Sequence, residues 1–295
     1  MKRICIIDMG SVLHATKFSM GKGKLSHNDK PTFVIYGFLL KLQFLLTKIR
    51  PDLLVFAIDS PNSKRKKIFA AYKEKRHKNK TEEQNELDKL AYPQFDEIKN
   101  YVIPKLGYSN VFSEDGLEAD DIIGSICKTY TNSEIVVVSN DGDLYQLLTD
   151  KIVMFDPRVN QYFGIEDFIK KYKMQPPDWK KVKVYGGCTT DEVPGIRVDL
   201  DGNGKTTVIG KDAAIKYVSE GNLSDKKLKA LNSEKGKKQI QRNKSLVILP
   251  FRGTPTYEVS SLSGSKTGLK EVAQKYGFKS ILGDLNNWNR ILRLM

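Results

Sequence analysis

Cysteine is scarce in this sequence, and its few cysteines form no pair or cluster. The three residues, Cys5, Cys127 and Cys188, are odd in number, scattered along the chain and without C-x-x-C spacing. Free, scattered cysteines are typical of a reducing compartment. The pattern therefore predicts such a compartment and argues against a zinc site.

Long apolar runs are also missing. A membrane-spanning helix needs about 18 or more consecutive apolar residues, and the longest apolar stretch here, residues 32–49, is interrupted by polar side chains. We interpret it as a core helix. The N-terminus enters a predicted strand at once, with no signal-peptide pattern. We therefore expect no membrane association and a cytoplasmic location, in a bacterium or in the host cell of a virus.

Acidic residues are outnumbered. The chain has 49 Lys and Arg against 35 Asp and Glu, which gives a formal net charge of +14. Such an excess favours a polyanionic partner, above all nucleic acid, although composition alone does not exclude ribosome association or non-specific binding. With 295 residues, 40% of them apolar, the chain is long enough to bury a substantial core.

Five of the acids fall at two places in one stretch, residues 115–148. A first group precedes apolar residues at helical spacing, which places these acids on the first turn of a helix with a buried face. A second group follows residues 135–138, a short β-branched run typical of a buried strand. The two groups are Glu118, Asp120 and Asp121, and Asp141 and Asp143.

Two other predicted strands end in the same way, at Asp8 and at Asp59. Sites in open α/β sheets form at the carboxyl ends of the strands, so these acids converge if the strands are parallel neighbours. A single strand-end Asp is usually a turn or capping residue, and we accept that explanation for Asp156 before Pro157. For the whole set, mutual repulsion demands cations. The all-oxygen cluster therefore predicts a site for Mg²⁺ or Mn²⁺.

Basic residues concentrate beside these acids. Residues 64–80 hold nine Lys and Arg against one acid, with an aromatic-containing interruption at 69–72. Cations that contact phosphates and a ring that stacks on a base are typical of an element that binds single-stranded nucleic acid; a solvated basic loop is the alternative. Residues 226–244 form a second basic segment.

The order of predicted elements divides the chain into two regions. Alternating strands and helices over residues 1–185 predict an α/β domain with a mostly parallel sheet and helices on both faces, and a basic arch at 60–92. A turn-rich segment follows, and residues 186–295 are predicted to form a helical DNA-binding region.

Several local predictions complete this outline. Residues 10–30 are expected to be a polar loop, and residues 81–84 (T-E-E-Q) a capping box that starts a helix. Pro93 is expected to open a further helix that ends near Gly107. Residues 245–250 are expected to form a hydrophobic strand or a hydrophobic segment that anchors the chain to the rest of the protein.

Acids, divalent metals and basic elements together indicate phosphodiester hydrolysis. Two ions about 4 Å apart would activate water on one side of the phosphorus and stabilise the leaving oxygen on the other. A nearby cation would offset the charge that develops on the transferring phosphate. Lys73 and Arg76 are the candidates for that cation.

Several motifs run in order through the first 250 residues: Asp8, Asp59, Tyr72-Lys73-x-x-Arg76, Gly116-Leu117-Glu118-Ala119-Asp120-Asp121, Ser139-Asn140-Asp141-Gly142-Asp143 and Asp191-Glu192-Val193-Pro194-Gly195. In these motifs the chain resembles the flap endonuclease and 5′→3′ exonuclease family, which includes the nuclease domain of bacterial DNA polymerase I and stand-alone bacterial and phage enzymes. The E-A-D-D and D-G-D motifs are highly specific.

The resemblance implies a PIN-like nuclease core, a helix–turn–helix-like duplex contact, and structure-specific 5′ nuclease activity in DNA replication and repair. The implied substrate is DNA with a 5′ single-stranded flap or end, with RNA–DNA hybrids and RNA primers as a further expectation. Two Mg²⁺ or Mn²⁺ ions, K⁺ in the duplex-binding motif and a monomer are also expected.

The resemblance assigns residues as follows. The implied metal ligands are Asp8, Asp59, Glu118, Asp120, Asp121, Asp141, Asp143 and Asp191. The residues implied to act at the reacting phosphate are Lys73, Arg76, Asp8 and Asp120. The residues implied to contact nucleic acid are Arg65, Tyr72, Lys73, Arg76, Gly195, Gly210 and Lys211.

The chain departs from the family pattern at two places. Where the family usually has Gly-Asp-x-x-Asp-Asn, Cys188 replaces the first Asp and Glu192 replaces Asn. Because sulfur is a soft ligand poorly suited to Mg²⁺, the second metal site is weakened unless Glu192 supplies the missing carboxylate. The other departure is an insertion at 197–207 inside the duplex-binding turn.

Two rival functions fit parts of the sequence. A catalytically weakened branched-DNA-binding protein of the same fold would keep the basic segments, and Cys188 supports it, but the remaining acids oppose it. A haloacid-dehalogenase-type phosphatase could use Asp8, yet that chemistry wants a second Asp where Gly10 stands. The nuclease is the function that the sequence favours.

Overall fold

A six-stranded sheet lies at the centre of the computed structural model, which describes residues 1–20, 25–74, 80–261 and 264–293. The strands in these ranges are β1 (Arg3–Asp8), β2 (Ser26–His27), β3 (Lys30–Pro31), β4 (Leu53–Ala57), β5 (Val111–Phe112), β6 (Glu134–Val138), β7 (Ile152–Asp156), β8 (Gln161–Phe163), β9 (Gly187–Cys188), β10 (Val193–Pro194), β11 (Arg197–Asp199) and β12 (Thr206–Val208).

Helices fill most of the remaining described chain. They are α1 (Met9–Met20), α2 (Phe33–Ile49), α3 (Arg65–Ile68), α4 (Glu82–Glu97), α5 (Ile103–Lys105), α6 (Ala119–Thr129), α7 (Ile165–Tyr172), α8 (Trp179–Gly186), α9 (Lys211–Glu220), α10 (Asp225–Asn232), α11 (Glu234–Val247), α12 (Lys266–Lys275), α13 (Lys279–Leu282) and α14 (Leu285–Ile291). A π-helical turn spans Ile98–Val102, and 3-10 helices span Gly142–Leu147 and Pro176–Asp178. Within the described ranges, none of these helices combines the length and the apolar character that crossing a membrane requires.

The strand order in the sheet is β5-β4-β1-β6-β7-β8, and every pairing is parallel except that of β8 with β7. In the register, Ile7 of β1 lies opposite Phe56 of β4 and Val138 of β6. The three strands therefore end at the same edge, and the residues that follow them come together there. The predicted α/β class with a mostly parallel sheet is confirmed.

Side chains alternate across the strands and bury two cores. Cys5 and Ile7 point into one core, shared with α1, α2 and the C-terminal helices α12–α14. Ile4 and Ile6 point into the other, shared with α6–α10. This period of two arises because successive strand residues face opposite sides of the sheet. Helices thus cover both faces, as predicted, and α12–α14 return to the α/β core. The predicted division of the chain after residue 185 stays a prediction.

The predicted polar loop at residues 10–30 is wrong over its first half, which is helix α1. Met9, Val12, Leu13 and Thr16 are buried at a helical spacing that the many polar neighbours obscured. Packing of this narrow apolar stripe on the core outweighs the weak helical propensity of the segment. Residues 25–31 follow as the short hairpin β2–β3.

Pro93 lies inside α4 and does not start a helix as predicted. Proline removes a backbone donor and usually breaks a helix, but here buried neighbours on both sides, Ala91 and Phe95, keep the helix on the core. The capping box that starts α4 is confirmed. Thr81 Oγ1 accepts from the backbone N–H of Gln84, and the Gln84 side chain accepts from that of Thr81.

The predicted hydrophobic strand at 245–250 is also wrong, because α11 continues to Val247. Leu246 and Leu249 are buried, so the segment does hold the chain to the rest of the protein. The backbone N–H of Leu249 donates to Gln146 Oε1 at 3.1 Å. Apolar content identified the burial correctly, whereas helical hydrogen bonding decided the conformation.

Candidate metal centre

A cavity of about 360 Å³ opens at the carboxyl edge of the sheet. The chain after β1, β4 and β6 and the start of α6 all reach this cavity, as expected where parallel strands end. The carboxylates that line it are Asp8, Asp59, Glu118, Asp120 and Asp141. The structure thus brings together acids from four separate segments of the chain.

Three hydrogen bonds hold Asp8 in place. Its Oδ2 accepts hydrogen bonds from Ser11 Oγ at 2.6 Å and from Ser139 Oγ at 2.7 Å. The backbone N–H of Ser11 donates to Oδ1 at 3.1 Å. Ser11 lies in the first turn of α1 and Ser139 directly follows β6, so the two hydroxyls fix the carboxylate between neighbouring elements.

Asp59 connects β4 to the start of α6. Its Oδ1 accepts from the backbone N–H of Ala119 at 2.8 Å, which is one of the unpaired donors at a helix N-terminus. Gly10 lies between the two strand-end acids. A β-carbon at Gly10 would stand 3.3 Å from an oxygen of Asp59 and 3.3 Å from an oxygen of Asp8. The missing side chain leaves room between the carboxylates.

Glu118 receives the densest set of donors. Lys73 Nζ lies 2.8 Å and Tyr72 Oη 2.9 Å from its Oε2, and Ser63 Oγ donates to Oε1 at 3.1 Å. Burial raises the pKa of this carboxyl, but the positive charges of Lys73 and Arg65 outweigh burial and hold the pKa below its usual value. Glu118 is therefore ionised and already partly neutralised.

The other cavity acids repel one another. Burial and the nearby Asp59 raise the pKa of Asp8 to about 6. Burial, Asp141 and Asp8 raise the pKa of Asp120 well above its usual value, and burial with Asp143 raises that of Asp141. Added positive charge would relieve this repulsion. With five carboxylates in its lining and space beside Gly10, the cavity fits a hard divalent cation.

A second group of ligand atoms lies next to the first, since the backbone N–H of Asp143 donates to Asp141 at 2.8 Å. Oxygens of Asp143 and Asp191 and the sulfur of Cys188 lie within 4.8 Å of one another. The Cys188 thiol donates to Asp143 Oδ2 at 3.3 Å. Burial and the charge of Asp143 raise the pKa of the Cys188 thiol to about 12, so it stays protonated. A neutral thiol is a poor ligand for Mg²⁺.

Lys183 enters this second group from α8. Its ammonium forms an ion pair with Asp143 and lies 3.6 Å from Cys188 Sγ. Burial lowers the pKa of Lys183, but the charge of Asp143 outweighs burial, so the pKa is raised and the ammonium stays charged. A group that combines a thiol with a resident ammonium does not fit a second divalent ion of the same kind.

Glu192, the predicted substitute for the missing carboxylate, is not part of the second group as the described residues define it. Its backbone has φ of 60°, in the left-handed region that Asn adopts more readily than Glu. The backbone N–H of Glu192 donates to Thr189 O at 3.2 Å and closes the turn after Cys188. Glu192 therefore does not compensate, within this group, for the carboxylate that is missing at Cys188.

Asp121, which was predicted to be a metal ligand, does not line the cavity. Its two oxygens each accept from Arg65 at 2.7 Å, and Oδ1 also accepts from the backbone N–H of Phe251 at 2.8 Å. Arg65 is only 1% exposed in this structure, and its predicted contact with nucleic acid stays a prediction. Its Nε donates to Leu246 O, which ties α3 to the end of α11.

Tyr72, which was predicted to contact nucleic acid, is buried beside the site. The side chain is 1% exposed, and its hydroxyl donates to Glu118 and lies 3.1 Å from Asp191 Oδ2. Tyr72 holds two predicted metal-site acids in position.

The remaining predicted residues have mixed placements. Lys73 lines the cavity as expected, and Arg76 lies outside the described residues. Gly195 is tightly packed, since a β-carbon there would come within 2.1 Å of Ile209 O. Gly210 is exposed and caps α9, and the ammonium of Lys211 lies 5.5 Å from the Trp179 ring centre. Their contact with nucleic acid stays a prediction.

A helical pair matches the predicted helix–turn–helix-like arrangement. Helix α8 packs against α9, and the backbone N–H of Ile196 donates to Tyr185 O at 2.8 Å where the connection leaves α8. The insertion at 197–207 forms most of the antiparallel hairpin β11–β12. The insertion therefore extends the connection and leaves the packing of the two helices intact.

Sequence reasoning missed three residues of the site. Arg158 lines the cavity just after the end of β7. The reasoning that placed the strand-end acids at this edge of the sheet would also have placed Arg158 there. The same reasoning gave Asp156 a turn role, and Asp156 accepts from the Arg158 backbone at 2.8 Å. His14 was missed because α1 was predicted to be a loop. Lys183 carries no sequence signal, since its partners lie on other segments.

Convergent carboxylates on a parallel sheet, a lysine beside them and a strongly basic surface define a metal-dependent nuclease. The family described as "5′-3′ exonuclease, N-terminal resolvase-like domain" matches residues 3–173. The chain belongs to this family, and its function is that of a 5′ nuclease that hydrolyses phosphodiester bonds.

Individual relatives support the same assignment. The 5′-3′ exonuclease of Aquifex aeolicus is 32% identical over 212 residues, which cover 71% of this chain and 68% of that protein. DNA polymerase I of Chloroflexus aurantiacus is 26% identical over 66% of this chain, but the match spans only 21% of the polymerase. The similarity to the polymerase therefore concerns one part of that enzyme.

Solved structures share the fold. The bacteriophage T5 flap endonuclease, in a pseudo-enzyme–product complex with DNA and metal ions, superposes with a TM-score of 0.67 at 19% identity. The match covers 99% of this chain and 100% of that chain. At this level of identity the likeness establishes the architecture.

Proposed function

We propose that the carboxylate cavity cleaves DNA at 5′ single-stranded flaps or ends. The observation that carries this proposal is the placement of Lys73 against Glu118 in a cavity lined by four further carboxylates. Such a cavity holds a divalent cation and a fixed positive charge close to one phosphodiester. The T5 flap endonuclease, which has the same fold, has been crystallised with both DNA and metal ions.

The cavity acids would hold the divalent ion, and Mg²⁺ or Mn²⁺ suits their oxygens. Bound there, the ion would polarise the scissile phosphate and lower the pKa of a water molecule. The protein contributes orientation. Ser11 and Ser139 hold Asp8, and the Ala119 N–H holds Asp59. These donors keep the carboxylates aimed into the cavity despite their mutual repulsion.

Lys73 would neutralise the charge that develops on the transferring phosphate. Its side chain is 18% exposed and lies on the cavity wall, so a phosphate in the cavity can reach it. The Glu118 carboxylate at 2.8 Å fixes the ammonium in place before substrate arrives. A preorganised cation of this kind stabilises a transition state more than a mobile surface lysine does.

The DNA duplex would lie along α8, α9 and the second basic segment, residues 226–244. The N-terminus of α9 begins at exposed Gly210 and Lys211, and a helix N-terminus with a cation is a suitable phosphate contact. The net charge of +14 supports strong, salt-dependent attraction to the backbone. K⁺ binding in this motif and action on RNA–DNA hybrids remain parts of the proposal.

The proposal is tested with three duplexes of equal length that carry a 5′ flap, a 3′ flap or no flap. We expect cleavage near the junction of the 5′ flap with Mg²⁺ or Mn²⁺, and none with chelator. Equal cleavage of the 3′ flap would contradict the 5′ specificity. Cys188 favours the second candidate, a DNA-binding protein with weakened catalysis, and tight binding of the 5′ flap without cleavage under either metal would establish it.

A further inference from the structure

The second group of ligand atoms, formed by Asp143, Cys188 and Asp191, already contains a positive charge. Lys183 pairs with Asp143, and its side chain is only 9% exposed. An ammonium buried this deeply requires a fixed anionic partner, because its desolvation is otherwise uncompensated. The ion pair is therefore a permanent part of the folded protein.

Each carboxylate of this group faces an ammonium of the protein. Lys183 neutralises Asp143, and the ammonium of Lys73 lies 3.6 Å from Asp191 Oδ1. Cys188 contributes a thiol that donates to Asp143 and is 3.0 Å from Thr190 Oγ1. A carboxylate at position 188 would add a negative charge and a hard oxygen, and this chain has neither there.

The position of Lys183 is fixed by the helix that carries it. Trp179, one turn earlier on α8, donates from Nε1 to Gly142 O at 2.7 Å, next to Asp143 in the chain. The ammonium of Lys183 lies 5.9 Å from the Trp179 ring centre. The same residues thus attach α8 to the loop that holds Asp143 and direct the lysine at it.

We propose that the ammonium of Lys183 stands in for a second divalent ion, so that this nuclease binds one divalent ion, in the carboxylate cavity. Lys183 supplies positive charge beside that ion, and unlike a second metal ion it does not have to be bound from solution. Mg²⁺ binding at Asp143 would have to expel the ammonium and accept a thiol, and both changes oppose it. This inference rests on the proposed function of the cavity.

The test counts bound ions and does not depend on turnover. Isothermal calorimetry with Mn²⁺, checked by the loss of the free Mn²⁺ electron paramagnetic resonance signal, is applied to the wild type and to the double variant Lys183→Met, Cys188→Asp. Methionine keeps the apolar stem and removes the charge, and aspartate provides an oxygen ligand. We expect one ion in the wild type and two in the double variant.

A matched control separates this effect from a general change of charge. Lys181→Met removes a lysine from the same helix, where it is 57% exposed and paired with Asp178. We expect the control to bind one ion, like the wild type. Lys183→Arg keeps the positive charge and should also bind one ion. If only the aliphatic stem of Lys183 mattered, the double variant Lys183→Met, Cys188→Asp would not be expected to gain a second ion.

The outcomes distinguish the inference from the function on which it rests. Two ions in the wild type would overturn the role of Lys183 and leave the nuclease proposal intact. No bound ion in the wild type would contradict the metal centre itself. If the double variant does not fold, the number of ions bound by the wild type decides between one divalent ion and two. The rate of single-turnover cleavage gives a second measure, and it should depend on Mn²⁺ concentration to the first order.

Discussion

Arg65 and Asp121 form a bidentate ion pair at the base of the site, with both N–O distances at 2.7 Å and exposures of 1% and 0%. The pair joins α3, which lies in the basic segment at 64–80, to α6, whose N-terminus carries Glu118 and Asp120. The carboxylate next to two cavity acids therefore serves the architecture of the site and does not line the cavity.

Removal of one partner should destabilise the protein strongly. Arg65→Ala leaves the Asp121 charge buried without its guanidinium, and we expect the free energy of unfolding to fall by about 3–5 kcal/mol. Urea denaturation measures this loss. Lys67→Ala, an exposed neighbour on the same short helix, is the control and should change stability by less than about 0.5 kcal/mol. Equal losses in both variants would contradict the structural role of the pair.

Neutralising a cavity acid should have the opposite effect on the metal-free protein. Asp120 is repelled by Asp141 and Asp8 in a buried setting. Asp120→Asn removes one of the repelling charges, so we expect the metal-free protein to gain roughly 1–2 kcal/mol of stability. Thermal unfolding in chelator tests this, with exposed Asp150→Asn as the control. A loss of stability would mean that the acids do not repel one another.

Metal binding should weaken on acidification. Because the pKa of Asp8 in the folded protein, about 6, lies above its usual value, the metal-free fold binds this proton more tightly than the unfolded chain does. The stability that this tighter proton binding gives to the metal-free protein is therefore lost as pH rises through about 6. Below that pH, a bound ion must displace the proton from Asp8. The metal-induced rise in Tm should be larger at about pH 7.5 than at about pH 5.

The control for this prediction is Asp8→Asn. Since the variant lacks the titrating carboxyl, the metal-induced change in Tm should be smaller at both pH values and should depend less on pH. The same Tm shift for the wild type at both pH values would contradict the raised pKa of Asp8 as the cause.

Lys73 should affect the chemical step more than DNA binding. Lys73→Met removes the fixed cation beside Glu118, and we expect the single-turnover rate to fall by roughly 100-fold with Kd changed by less than about threefold. Lys66→Met is the contrasting variant. Lys66 is exposed on α3, so its loss should weaken binding slightly without changing the rate at saturating enzyme. An unchanged rate for Lys73→Met would remove it from the catalytic step.

The convergence of the acids could be predicted because it follows from strand geometry. Asp8, Asp59 and Asp141 each come just after a buried apolar run, and parallel strands place such positions at one edge. The distinction between Asp120 and Asp121 could not be predicted. Adjacent residues on a helix point about 100° apart, so only one of them faces the cavity, and the sequence does not show which.

The basic segment shows where composition misleads. Arg65 and Tyr72 fit the pattern of cations with an aromatic residue, yet both are buried and contact acids of the site. Their roles depend on partners 46–119 residues away in the chain. The role of Lys183 could not be predicted from the sequence for the same reason, since only the fold brings it to Asp143.

The most direct test of the central claim is single-turnover cleavage of a 5′-flap duplex by the wild type and by Asp120→Asn, with DNA binding measured in parallel. We expect metal-dependent cutting near the flap junction by the wild type, and a rate lower by at least roughly 100-fold in the variant with flap binding retained. Undiminished cutting by Asp120→Asn would show that the carboxylate cavity is not the catalytic centre.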